Sequence, residues 1–131
     1  ISIHAPITEL THHLFSTREF ELMKESAVVV NAARGPIIDE DALVAAIEND
    51  EIHAAGLDVF ESEPPDGSPV LEYDRIVCSQ HRAGHTENAK RNVIATVRAE
   101  LRRVLGGDPP RNVVNQEVYQ YRGNGITEPG M

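Results

Sequence analysis

Four side chains in this sequence could do chemistry together, and each stands just past or near the end of an apolar run. Arg34 follows the run at 27–32, in NAARGP; Asp58 and Glu63 lie in GLDVFESEPP; His81 closes RIVCSQH. A guanidinium presents a planar fork of donors that matches a carboxylate or phosphate. A histidine transfers protons near neutral pH, and a carboxylate beside it orients the ring and favours its charged form. A carboxylate fork beside a His–Glu acid/base pair suits reactions at a 2-oxo or 2-hydroxy acid. The arginine would hold the carboxylate and polarise the carbonyl, and the histidine would carry the hydroxyl proton. No side chain here takes a hydride, so that chemistry calls for a cofactor.

Each residue also has a plainer reading. Arg34 serves a surface ion pair or a helix cap about as readily, and any one of the 6 histidines is more often structural than catalytic. Glu61 and Glu72 compete with Glu63 on spacing alone. Asp58, inside an otherwise apolar strand, needs hydrogen-bond partners, which a ligand amide or a neighbouring loop could supply.

The elements that must position these groups are short. Apolar runs at 1–4, 27–32, 53–59 and 75–79 read as buried, parallel strands. A helix is predicted over about 17–24, opened by the S-x-x-E box of Ser16 and Glu19, with Phe20 and Met23 on one face. A second is predicted over about 39–49. Asp39, Glu40 and Asp41 lie in its first turn, and Leu43, Ala46 and Ile47 form an apolar stripe. A third, over 86–105, carries Ala89, Val93, Val97, Leu101 and Val104 at helical spacing and ends at Gly106-Gly107 before Pro109-Pro110. The stretch YQYRGNGITEPGM reads as a flexible tail. Alternating strands and helices imply an open α/β sheet, where ligands bind outside the carboxyl ends of the strands. His4, Arg34, the 58–63 segment and His81 all fall on that edge.

Composition narrows the partners. The 131 residues carry 12 Lys and Arg against 21 Asp and Glu, a net charge of −9. That argues against nucleic acid or an anionic membrane as the main partner. One cysteine, Cys78, excludes an internal disulfide and suits a reducing, cytoplasmic compartment. The histidines suggest metal only weakly: the adjacent His12 and His13 would point apart on a helix or strand, and His81 and His85 straddle a loop and a helix start.

The ordered blocks HAPIT (4–8), NAARG (31–35), GLDVFESEP (56–64) and SQHRAG (79–84) closely resemble the D-isomer-specific 2-hydroxyacid dehydrogenases, over residues 1 to about 118. The resemblance implies an α/β fold, the second half of a Rossmann-type NAD(P)-binding domain with a parallel sheet. It implies reversible hydride transfer between NAD or NADP and a small D-2-hydroxy or 2-oxo acid. By that resemblance Arg34 binds the substrate carboxylate, His81 is the acid/base, and Glu63, directly before Pro64, is its carboxylate partner. Asp58 is implied to contact the nicotinamide amide. Ala32, Ala33, Arg34, His81, Arg82, Ala83 and Gly84 are implied cofactor contacts. Two residues depart from the family pattern: Gln80 stands where proline usually precedes the histidine, and Arg82 follows it where an apolar residue is usual.

The family's phosphate-cradling GxGxxG occurs nowhere in the 131 residues. The chain also opens on Ile1, inside a strand pattern. Both features predict the C-terminal portion of a longer enzyme. Residues 1–107 would be NAD(P)-binding domain, with helix 86–105 leading back to a substrate domain, and 108–131 a C-terminal segment. The complete enzyme is expected to be a homodimer, and this piece alone inactive and unstable. The competing expectation is a catalytically silent, NAD(H)-sensing, corepressor-like binding module.

Overall fold

The computed structural model describes residues 1–115; the tail expected at 119–131 lies outside the described residues. The chain forms two compact units, Ile1–Gly84 and a second that begins at His85.

In the first unit, β1 (Ser2–Ile3), β2 (Val28–Asn31), β3 (Ala54–Leu57) and β4 (Ile76–Cys78) form one sheet in the order β1-β2-β3-β4, every pair parallel. Parallel pairing brings all four carboxyl ends to one edge. Between the strands lie α1 (Thr17–Glu21) and α2 (Glu40–Glu48), with 3-10 turns at Gly35–Ile37 and Pro69–Glu72. Every strand is shorter than its apolar run, because each run continues into the loop after its last ladder partner. Helix α1 also stops early, at Leu22, so Met23 packs on the core from the following turn.

The expectation of buried strands holds for one face only. β2 alternates, with Val29 and Asn31 buried and Val28 and Val30 exposed, and Val77 of β4 is exposed too. The buried face contributes Ile3, Val29, Ala55, Leu57 and Ile76. They form one cluster with Phe20, Leu43, Ala46, Ile47 and Val70 from α1, α2 and the Pro69–Glu72 turn. The helix period therefore decides which α2 residues meet the sheet, and the strand period decides which sheet residues meet them.

Local chemistry sets the α2 start. Asp39 is its N-cap and accepts from the Ala42 amide at 3.0 Å, while Ser16 donates its hydroxyl to Asp39 at 3.1 Å. The Ser16 amide donates to Glu19 at 3.2 Å, the return half of the expected capping box. At the other end of α2, Arg75 bonds Asp50 at 2.9 Å and the Ile47 carbonyl, and the Tyr73 hydroxyl donates to Glu48 at 2.5 Å. These bonds fix the approach to β4.

The second unit is built on α3 (Glu87–Leu105), capped by Thr86, whose hydroxyl accepts from Ala89 at 3.0 Å. Gly106 closes it and Gly107 takes φ +87°. The chain then folds back along the helix: Arg103 donates to the Pro109 carbonyl at 3.2 Å, and Glu100 accepts from Arg111 at 2.8 Å and Asn112 at 3.1 Å. No residue of α3 is buried, and among the described residues no helix is long and apolar enough to cross a membrane.

Candidate active site

The segments leaving β2 and β4 each carry one candidate side chain, Arg34 and His81, and the segment leaving β3 carries two, Asp58 and Glu63; the loops decide where they point. After β2, the buried Asn31 shapes the turn. Its amide nitrogen donates to the Arg34 carbonyl at 2.9 Å, and its oxygen accepts from the Ala33 amide at 3.1 Å. Asn is suited to this because its side chain mimics a backbone turn. Next comes Gly35, where a Cβ would stand 1.8 Å from the Phe60 carbonyl oxygen. The tip of β2 thus lies backbone to backbone against the segment leaving β3, and only glycine admits that approach. Arg34 sits exposed between these two anchors. Its guanidinium touches the Ala33 carbonyl at 2.6 Å, and among the described residues no carboxylate pairs with it.

After β3, Asp58 is buried and turns toward the segment that follows β4. One oxygen accepts the Ser79 hydroxyl at 2.5 Å and the Arg82 amide at 2.8 Å; the other accepts the Ala83 amide at 2.8 Å. Burial pushes its pKa up, but the Ser79 hydroxyl, the Ala83 and Arg82 amides and the charge of His81 outweigh that and hold the carboxyl below its usual range. Of the two partners its sequence allowed, the neighbouring loop is the one seen.

That clamp presents His81. The residue takes φ +51°, in the left-handed region, flanked on both sides by residues bonded to Asp58. A non-glycine backbone persists there when its surroundings over-determine it. His81 Nδ1 meets Glu63 at 2.8 Å. Glu63 also accepts the Phe60 amide at 3.3 Å. The His81 hydrogen bond comes first among the causes that hold the Glu63 carboxyl below its usual range; burial opposes it, and the Phe60 amide assists. With Gln80 before it, His81 makes this contact to Glu63. Arg82 gives its amide to Asp58, and its side chain is exposed.

The rival carboxylates are accounted for. Glu61 exchanges hydrogen bonds with Glu40 and meets His13 at 3.1 Å. Glu72 makes no side-chain hydrogen bond among those described and lies in the Pro69–Glu72 turn. His12 and His13 do not point apart, because they lie in a turn rather than a helix or strand: His13 has φ +48° and the two rings stand 4.1 Å apart. His4, at the end of β1, bonds Ser2 at 2.8 Å. Among the described residues no group of three His, Cys, Asp or Glu is arranged to hold a metal ion.

A cavity of about 450 Å³ adjoins the His81–Glu63 pair, walled by Phe60, Pro64, Leu71 and Cys78. Burial, then the charge of Glu40, pushes the Cys78 thiol up, which favours its protonated, less reactive form. Ala32, Ala33, Ala83 and Gly84, beside Arg34 and His81 in sequence, carry a methyl or nothing as side chain, and nothing stands within 4 Å of a Cβ added at Gly84. Sequence reasoning missed Asn31, Gly35 and Ser79 as supports. An Asn closing a strand and a Gly-Pro directly after Arg34 were the available signals.

Known proteins share this fold and sequence pattern. The family model described as D-isomer specific 2-hydroxyacid dehydrogenase, NAD binding domain, matches residues 1–83. Glyoxylate/hydroxypyruvate reductase B of Enterobacter sp. (strain 638) is 46% identical over 114 residues, covering 86% of this chain and 35% of that protein. The crystal structure of D-lactate dehydrogenase with NAD+ from Lactobacillus jensenii superposes with a TM-score of 0.81 at 29% identity, over 88% of this chain and 39% of that one. A D-isomer specific 2-hydroxyacid dehydrogenase from Xanthobacter autotrophicus Py2, in complex with NADPH and MES, gives 0.71 at 34% identity, over 87% and 47%. The chain thus spans about a third of the length of the curated relatives it matches.

Proposed function

Because the chain belongs to the D-isomer specific 2-hydroxyacid dehydrogenase family, as its NAD binding domain, we propose that the complete protein moves a hydride reversibly between a nicotinamide cofactor and a D-2-hydroxy or 2-oxo acid. The observation that carries this is the 2.8 Å His81–Glu63 pair on the same sheet edge as a guanidinium that no described carboxylate neutralises.

The roles follow from the chemistry of each group. Arg34 holds the substrate carboxylate in its fork and polarises the adjacent carbonyl. His81 uses Nδ1 toward Glu63, which leaves Nε2 to give a proton to the carbonyl oxygen on reduction and to take it back on oxidation. Glu63 fixes the ring and stabilises its protonated form.

The residues fit a nicotinamide. Ala32, Ala33, Arg82, Ala83 and Gly84 offer a backbone-rich, open edge for a flat ring, and three of the roughly four acceptor sites of Asp58 are filled by the loop, leaving one for the carboxamide. When bound, the nicotinamide supplies or accepts the hydride. Either NAD or NADP satisfies these residues, because they address only the nicotinamide end.

The same proposal makes 1–107 the NAD(P)-binding portion, with α3 leading back to a substrate domain and 108–131 a C-terminal segment, and the complete protein a cytoplasmic homodimer. A net charge of −9 supports small-molecule substrates over nucleic acid or an anionic membrane. The test is oxidation of NADH and NADPH by the complete protein over a panel of 2-oxo acids that includes glyoxylate, hydroxypyruvate and pyruvate. Turnover of at least one is expected. No turnover on any, with a protein partner co-purified, would replace the enzyme with a nicotinamide-sensing binding module.

A further inference from the structure

Glu63 lies on a loop, and a loop needs a reason to hold one geometry. The reason comes from α2. Glu40, in the first turn of that helix, is only 8% exposed, and both of its carboxylate oxygens are engaged. One accepts the Glu61 amide at 2.8 Å; the other accepts the Ser68 hydroxyl at 2.5 Å. The Glu40 amide returns a bond to the Glu61 side chain at 3.0 Å, and His13 meets that same oxygen at 3.1 Å. The two attachment points bracket Glu63 in sequence. A buried carboxylate at a helix N-terminus is stabilised where it stands, so the bracket is anchored to a rigid element.

We propose that Glu40 is a positioning residue: it straddles the 61–68 loop from α2 and thereby holds Glu63 against His81. The inference rests on the acid/base role proposed for that pair. With the bracket intact, one Glu63 oxygen stays on the Phe60 amide and the other on His81. With it cut, the loop gains freedom and the 2.8 Å contact becomes one of several arrangements.

The test needs no turnover, so it stands apart from the fate of the dehydrogenase reading. The Glu63 carboxyl is titrated by 13C NMR in the complete protein, with Asp58 as the internal control. In Glu40→Ala the Glu63 midpoint moves upward, toward the ordinary carboxylate value, because the hydrogen bond to His81 is its largest lowering cause. Asp58, held by Ser79, Ala83 and Arg82, stays low. Glu40→Gln restores the wild-type Glu63 titration, since its amide oxygen still accepts from Glu61 and its nitrogen donates to Ser68. Charge removal alone predicts the opposite sign: one fewer nearby anion would move Glu63 downward. Should Glu40→Ala fail to fold, Ser68→Ala removes one attachment and must still raise Glu63. A Glu63 midpoint that is unchanged or lowered in folded Glu40→Ala or Ser68→Ala overturns the proposal. So does an Asp58 that rises in step with Glu63, which would mark general loosening.

Discussion

Residues 1–84 and the helix beginning at Glu87 treat their apolar side chains in opposite ways. In the first unit one sheet face, two helices and a 3-10 turn close over Phe20, Val29, Leu43, Ile47, Val70 and their neighbours. In α3, Val93, Val97, Leu101 and Val104 fall on one stripe yet remain 51–62% exposed. The charges divide as well. The first unit holds most of the 21 acidic residues, whereas residues 85–115 carry six basic ones (Lys90, Arg91, Arg98, Arg102, Arg103, Arg111) against three acidic (Glu87, Glu100, Asp108). The same kind of apolar pattern therefore means different things in the two places. In α2 it describes a face already covered, and in α3 a face without cover among its own described residues. The candidate site lies wholly in the unit that packs itself, on loops that its own side chains anchor.

Three changes sharpen that contrast. The largest effect is expected at Arg34. In the complete protein Arg34→Ala removes the proposed fork for the substrate carboxylate, and kcat/KM for 2-oxo acid reduction falls about 10²–10³-fold. Arg98→Ala on α3 leaves it near wild type. Equal losses at both would erase the distinction between the units.

The next effect is on stability. Gly35→Ala drives a methyl into the Phe60 carbonyl and lowers unfolding free energy by about 1–3 kcal/mol, the range of forced overpacking. Val97→Ser, on the uncovered stripe, stays within about 0.5 kcal/mol in the 131-residue chain. Denaturant titration of the two variants reads both, and a larger loss at Val97 than at Gly35 would reverse the comparison.

The smallest effect is a pH dependence. The Glu63 pKa is depressed in the folded state, so its stabilising contribution is full above the unfolded value, 4.5, and is lost as pH falls through the lower folded value. The melting temperature of the wild type should exceed that of Glu63→Gln at pH 6, with the gap fading below pH 4.5. The gap is small, because the Glu63 and His81 side chains are 40% and 51% exposed and solvent screens the pair. A gap that widens on acidification would contradict the assigned sign.

Much of this was legible in the sequence, and for identifiable reasons. Short apolar runs placed all four strands and the helix period placed three helices, because local pattern dictates where a buried element can form. The strand-end rule put Arg34, Asp58, Glu63 and His81 on one edge, and parallel pairing brings them there. The missed supports share one cause. Asn31 and Gly35 matter through contacts made two to twenty-five residues away, and Glu40 through bonds to residues 21 and 28 positions on. Periodicity cannot see such partners. Nor could spacing choose between Glu61 and Glu63: that choice depends on Glu40 and His13, which engage Glu61, and on His81, which engages Glu63. The His12–His13 turn was misjudged because the reading assumed a regular element where the chain turns through a positive φ.

The most direct measurement of the central claim is kcat/KM for 2-oxo acid reduction by His81→Ala in the complete protein, beside the wild type. If His81 carries the proton and Glu63 holds it in place, the loss is about 10²–10⁴-fold. Turnover equal to wild type would mean that the 2.8 Å pair at the sheet edge is architecture and not chemistry.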